Sequence, residues 1–355
     1  MHSVTPAPRG LSTLALLVIV IWGCEQSRSF LVPLAISALL AFMMAPLVRT
    51  MKKNQFPEWL AITLSSIVLV LPFMALIYVL VWQGQALAAD FPAITAALSK
   101  WLDALVNSRM GRWLHITREI DIPAVIQRVQ GSAVQGIQLI LTGLGALFGA
   151  GSQLALILLF TILMLASRRH LRLSSERIIS HSFGLGRSTL LDEVVLLIEK
   201  FLIARLLIIV IIGAADTIVL TLFSIPYAFL LGSVLGIMTI VPAIGFIVSL
   251  LPVLIVALAQ GNGLVSMIGL TLVLTGMSIV EGNILTPKMV GKSLNINALS
   301  TFVGLFAGGL LWGIGGMLLS IPILGAIRIT LSSSPTLYPW GDLLAEKDDQ
   351  NHKKV

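Results

Sequence analysis

The feature that most constrains this chain is a succession of apolar runs, at residues 11–24, 30–48, 60–82, 135–166 and 201–223, each bounded by charged or turn-forming residues. A helix needs about 20 apolar residues to cross a hydrocarbon core. In lipid every backbone donor and acceptor must also be satisfied within the segment or by neighbouring protein. The five runs are therefore read as transmembrane helices. Composition agrees: 57% of the residues are hydrophobic and 11% are charged, where a soluble domain carries about 25% charged residues. The fold class is all-α and polytopic, with the lipid bilayer as solvent.

The formal charge of +7 does not point to nucleic acid, because the lysines and arginines fall in short loops and form no basic stripe. It reports topology instead. Arg49, Lys52 and Lys53 follow the second run, and Arg168, Arg169, Arg172, Arg177 and Arg187 follow the fourth. The positive-inside rule places both segments, and with them the N-terminus, in the cytoplasm. Only Arg9 precedes the first run and no small-residue cleavage site follows it, so that run is read as a retained helix.

Several chemistries find no support. The single cysteine, Cys24, offers neither a disulfide nor a cysteine metal site. His2, His115, His170, His181 and His352 lie outside the runs without metal-ligand spacing, and there is no HExxH motif and no nucleophile elbow. Gly291-Lys292-Ser293 resembles the end of a phosphate-binding loop, but that loop needs a glycine where Thr286 stands. The expectation is a chain without metal or cofactor, which does not bind nucleotide and is not an enzyme.

Residues 83–134 are the one sizeable polar stretch between runs, on the periplasmic side by the alternation of spans. Ile94, Leu98, Trp101, Leu102 and Leu105 recur there at helical spacing, as an interfacial helix or a small helical cap would require. Later the pattern changes. Residues 227–259 form a 33-residue apolar run interrupted by Gly232, Gly236, Pro242, Gly245 and Pro252. Proline removes a backbone donor and breaks the preceding turn, so the run is read as a helical hairpin or a broken helix. An ordinary span at 264–280 follows. A second interrupted run, 298–327, contains Gly304, Gly308, Gly309, Gly313, Gly315, Gly316 and Pro322.

If both interrupted runs return to the side from which they came, residues 282–297 and the tail after Arg328 are both cytoplasmic, where their basic residues belong. The two runs also echo one another: Ile244-Gly245 and Ile314-Gly315 lie 70 positions apart, as do Pro252 and Pro322. Paired, Gly/Pro-interrupted segments in corresponding places point to a transporter's binding site. About eight membrane segments result, including the two hairpins. They divide into transmembrane helices at 1–82, the periplasmic segment 83–134, helices at 135–223 with the cytoplasmic basic loop 167–200, a hairpin-containing transport region at 224–330, and a polar cytoplasmic tail at 331–355.

Three ionisable residues fall inside or at the edge of late spans, where a charge costs about 2.5–3.5 kcal/mol on insertion scales. Arg205 lies near the cytoplasmic start of its span and can snorkel outward. Asp216, three turns further on, is either a protonatable or cation-binding carboxylate or an acid hydrogen-bonded to Thr217 or Thr221. Glu281 opens a polar stretch with Asn283, Pro287, Lys288 and Lys292, which reads as a solute entrance or as an interfacial connection. The candidate pathway residues are Asp216, Pro242, Gly245, Glu281, Asn283, Pro287 and Gly315. Gly145 and Gly149 mark a helix-packing face on the fourth run.

An ordered set of motifs between Ile225 and Pro322 resembles the autoinducer-2 exporter-like (AI-2E) permease family. It comprises Ile225-Pro226-Tyr227-Ala228-Phe229-Leu230-Leu231-Gly232, then Ile240-Val241-Pro242-Ala243-Ile244-Gly245, Glu281-Gly282-Asn283 with Pro287, Gly291-Lys292-Ser293-Leu294, and Leu319-Ser320-Ile321-Pro322. The resemblance implies a bacterial inner-membrane exporter of a small furanone-type signal or related metabolite, a homo-oligomer with the pentamer as one form, and a moving domain built on the hairpins. Some relatives are described as sodium or lithium/proton antiporters. Phe246 and Asn297-Ala298 depart from the family pattern on either side of the presumed pathway, so the cargo is not inherited with the fold. Three readings follow: an ion- or proton-coupled exporter of a small organic solute, a monovalent cation/proton antiporter, and a non-transporting membrane scaffold.

Overall fold

The computed structural model describes residues 9–107, 151–183, 188–241, 244–290, 295–334 and 336–346. They are helical nearly throughout: α1 (Arg9–Gln26), α2 (Arg28–Lys53), α3 (Glu58–Asn107), α4 (Gly151–Ala166), α5 (Arg168–Phe183), α6 (Ser188–Leu222), α7 (Ala228–Met238), α8 (Ile244–Ala259), α9 (Leu264–Val280), a π-helical turn (Glu281–Leu285), α10 (Thr286–Val290), α11 (Ala298–Ser332) and α12 (Tyr338–Leu344). Residues 135–150 of the fourth run, with Gly145 and Gly149, lie outside the described residues, as do Pro242, residues 108–134 and the Gly291-to-Leu294 motif. Arg28–Lys53, Glu58–Trp101, Leu264–Val290 and Gly315–Ser332 are each long and apolar enough to cross a membrane.

The chain divides into two compact units. One comprises 1–66, 155–202 and 293–355; the other comprises 67–154 and 203–292. In the first unit, buried Ser37 on α2 lies within hydrogen-bond distance of Pro33 O, at 2.6 Å, and of Ile157 O on α4, at 2.9 Å. Beside it Phe30 and Phe160 meet edge to face, with ring centroids 5.7 Å apart. At the basic end Arg49 pairs with Glu199, Glu58 bridges Lys52 (3.2 Å) and Arg168 (2.8 Å), and Arg172 reaches Glu176 (2.9 Å) and Asp192 (2.8 Å). Exposed pairs of this kind contribute little individually. They do bring both basic segments to one side, as the charge rule requires. The connection at 167–200, read from sequence as a loop, is helical over nearly all its described residues: Arg168–Ile178 bends by 70° from Leu154–Ala166, and α6 begins at Ser188.

Also in the first unit, α11 folds back on itself. Gly313 adopts φ +62 and ψ −141, which glycine reaches without steric cost, and Trp312 beside it is also non-helical. The arms then run antiparallel at close range. A Cβ on Gly316 would lie 1.9 Å from Gly308 O, and the Ser320 hydroxyl reaches Gly304 O at 2.8 Å and Gly316 O at 2.7 Å. The polar tail is tied to the start of this hairpin. Asn297 caps α11 by accepting from Ser300 N–H at 2.7 Å, and its amide donates to Leu343 O at 2.8 Å.

In the second unit, Leu80, Leu87 and Ile94 stand at seven-residue intervals on α3 and pack with Leu220, Leu231, Leu235, Val253 and Leu270 in one core. The helix of the third run thus continues unbroken to Asn107. Ile94 and Leu98 of the apolar stripe, expected on an interfacial helix or a small helical cap, are buried in protein. Helices α7 and α8 form the first hairpin, with their break between Met238 and Ile244. Gly232 and Gly236 let α7 approach α6 closely, since a Cβ at either would fall within 3 Å of Thr217 or Ile209 backbone atoms. The arms contain 11 and 16 residues, about 16 and 24 Å at 1.5 Å per residue, short of a ~30 Å hydrocarbon core. Gln83 accepts from Leu230 N–H at 2.9 Å, and Tyr227 donates to Asp90. These bonds tie the start of the hairpin to the outer part of α3.

Candidate transport site

Asp216 and Arg205 both stand on α6. Helical geometry uses the neighbouring hydroxyls: Thr217 donates to Gly213 O and Thr221 to Thr217 O, each at 2.7 Å, as hydroxyls inside apolar helices commonly do. Neither is spent on Asp216, which removes the reading of a carboxylate satisfied by Thr217 or Thr221. Asp216 is 4% exposed and has no hydrogen bond or ion pair among the described residues. It faces a cavity of about 40 Å³ lined also by Ser278, Glu281, Thr239, Val241 and Phe246.

Four elements build this cavity. Asp216 comes from α6, and Thr239 and Val241 come from the broken tip of the first hairpin, whose backbone has left the helical ladder. Phe246 opens α8, and Ser278 and Glu281 lie three residues apart, on one face, at the end of α9. Gly245 fixes the tip without facing the cavity: a Cβ there would lie 1.9 Å from Met238 O, so only hydrogen fits between the arms.

Arg205 does not snorkel to the aqueous phase. It is buried and reaches Glu281 Oε1 with Nη1 at 3.4 Å, and the same oxygen accepts from the Thr286 hydroxyl at 2.9 Å. Glu281 begins the π-helical turn, where the wider winding interrupts the regular i,i+4 pattern; such turns are frequent at functional sites. Asn283 and Pro287 are exposed, and Asn283 donates to Ile279 O of its own helix at 2.9 Å, so neither joins the cavity. Gly315 belongs to the other unit, packed against Val32 and Ile36 of α2.

Sequence reasoning missed Thr239 and Ser278. Ser278 was detectable as the polar residue one helical turn before Glu281. Thr239 carries no comparable signal until the position of the hairpin break is known.

The family model for AI-2E family transporters matches residues 11–335, all but the two ends of the chain. The chain belongs to the AI-2E transporter family. A putative transport protein of Haemophilus influenzae is 25% identical over 96% of this chain and 97% of its own length. The AI-2 transport protein TqsA of Escherichia coli is 24% identical over 90% and 91%, and the putative transport protein YhhT of Escherichia coli 26% over 91% and 90%. Membership in the AI-2E transporter family makes the protein a multi-pass membrane transporter, in agreement with its apolar helices and hairpins.

Proposed function

We propose that the protein is an exporter of a small organic solute, an autoinducer-2-like signal or a related metabolite, coupled to a proton or a monovalent cation through Asp216. The observation that supports this most is a buried carboxylate, unpartnered among the described residues, facing a small cavity at the broken tip of a hairpin. A buried acid needs a reason to persist at membrane depth, and exchange of a proton or cation is one. Irregular backbone beside such a group is where other transporters hold their coupling ions. The reading places the protein in a bacterial inner membrane as a homo-oligomer, with both termini cytoplasmic, acting as a permease without covalent chemistry on its cargo.

A second reading, monovalent cation/proton antiport with no organic cargo, is favoured by the size of the cavity. Some 40 Å³ admits a few water molecules or one small cation but no organic molecule. The exporter reading therefore requires a wider state, opened by movement of the hairpin.

Flux through the purified protein in proteoliposomes separates these readings. The exporter reading expects a small polar furanone to cross and to carry protons or cations with it. Sodium- or lithium-driven proton movement without furanone transport supports the antiporter, and no flux of either kind sinks both in favour of a scaffold.

A further inference from the structure

We propose that Arg205 sets the charge of the Asp216–Glu281 cavity, and thereby restricts it to a single monovalent cation in exchange for a proton. This rests on the coupling role given to the cavity above.

Two acidic side chains line the cavity, Asp216 and Glu281. With both ionised and nothing else present, a space flanked by two carboxylates, two hydroxyls and a broken backbone segment is a hard-oxygen site suited to a divalent cation. Arg205 changes that balance. Its guanidinium is held against Glu281 at 3.4 Å, and the two side chains are 11% and 14% exposed. Arginine stays protonated even when buried, so the charge is permanent. The Thr286 hydroxyl fixes the same Glu281 oxygen from the other side. Glu281 is thus neutralised in place, and the one carboxylate left to exchange its partner is Asp216, 4% exposed and unpartnered among the described residues. The sum over Arg205, Asp216 and Glu281 is one negative charge, which one proton or one monovalent cation cancels.

The two acids are therefore unequal. Asp216 exchanges, while Glu281 serves with Arg205 as a positioning pair. Removing either member of a buried pair leaves an uncompensated charge, whereas replacing both together is tolerated far better.

Thermal unfolding of the detergent-purified protein in sodium, lithium, magnesium or calcium chloride, against choline chloride at equal ionic strength, tests the assignment. A cation bound by the folded state raises the midpoint. The wild type is expected to respond to sodium or lithium and not to the divalent ions. Arg205→Gln, with a second charge uncovered, is expected to gain a response to calcium or magnesium. The double variant Arg205→Gln/Glu281→Gln restores the net charge and keeps the monovalent response even if the single variant does not fold. Asp216→Asn loses it. An Arg205→Gln protein with the wild-type cation profile, or a double variant that responds to divalent ions, overturns the role of Arg205 while leaving the coupling site standing. A wild type indifferent to sodium and lithium, with no cation-driven proton flux in liposomes, overturns monovalent-cation coupling itself and this assignment with it.

Discussion

At the scale of single residues, the hairpins are built around atoms that are missing. Gly245 and Gly316 each stand where a Cβ would come within 1.9 Å of a carbonyl oxygen on the opposite arm. Four residues after each glycine a buried serine, Ser249 or Ser320, returns its hydroxyl to that glycine's carbonyl at 2.7 Å. The sequence echo pairs Ile244-Gly245 with Ile314-Gly315, but the structural correspondence is one position later, with Gly316 in the tight place. A Cβ on Gly315 would instead lie 3.1 Å from Val32 Cγ1, a flexible side-chain end. Gly245→Ala and Gly316→Ala should each cost about 1–3 kcal/mol or more by overpacking, read as a large drop in the thermal midpoint in detergent. Gly315→Ala should shift the midpoint far less, and equal losses at 315 and 316 would contradict the arm register. Asn297→Ala should lose about 1 kcal/mol through its cap and release the tail it holds, making the bonds after Ser334 more open to protease.

The elements repeat the lesson that pattern is legible and partnership is not. Among the described residues, apolar runs and Gly/Pro interruptions located the helices and both hairpins, because lipid enforces those signals on each segment it covers. Nothing in the spacing of Arg205 and Glu281, 76 positions apart, shows that they pair; the expectation of a snorkelling arginine used only its distance from the end of its own span. The amphipathic stripe at Ile94 was equally open to misreading, since an apolar face looks the same whether lipid or protein covers it. Topology can be checked directly at this scale. In a Cys24→Ser background, Ser224→Cys and Gln260→Cys flank the first hairpin and should react with an impermeant maleimide from one side of the membrane. Asn283→Cys and Ser334→Cys should react from the other. Labelling of Ser224→Cys and Gln260→Cys from opposite sides would mean that the run crosses the bilayer instead of returning.

Over the whole molecule, three sets of contacts agree with a single threading of the chain. The Lys52–Glu58–Arg168 cluster joins the segments after the second and fourth runs. The Tyr227–Asp90 bond ties the start of the first hairpin to the extension of the third run, and Asn297 ties the start of the second hairpin to the tail. The charge rule assigns the first pair of segments to one side, and the parity of two returning runs does so for the third. Of the seven pathway candidates, Asp216 and Glu281 line one cavity, Gly245 braces it, Asn283, Pro287 and Gly315 are not part of it, and Pro242 lies outside the described residues. A sequence can show that an acid is buried, but which acid keeps its counter-ion depends on long-range packing. Coupled flux in proteoliposomes reports whether Asp216 is the exchangeable group. With a pH-sensitive dye inside and sodium, lithium or solute gradients imposed, Asp216→Asn should abolish proton movement while the protein remains folded, and Asp216→Glu should retain part of it. Undiminished coupled flux through a folded Asp216→Asn protein would contradict the account.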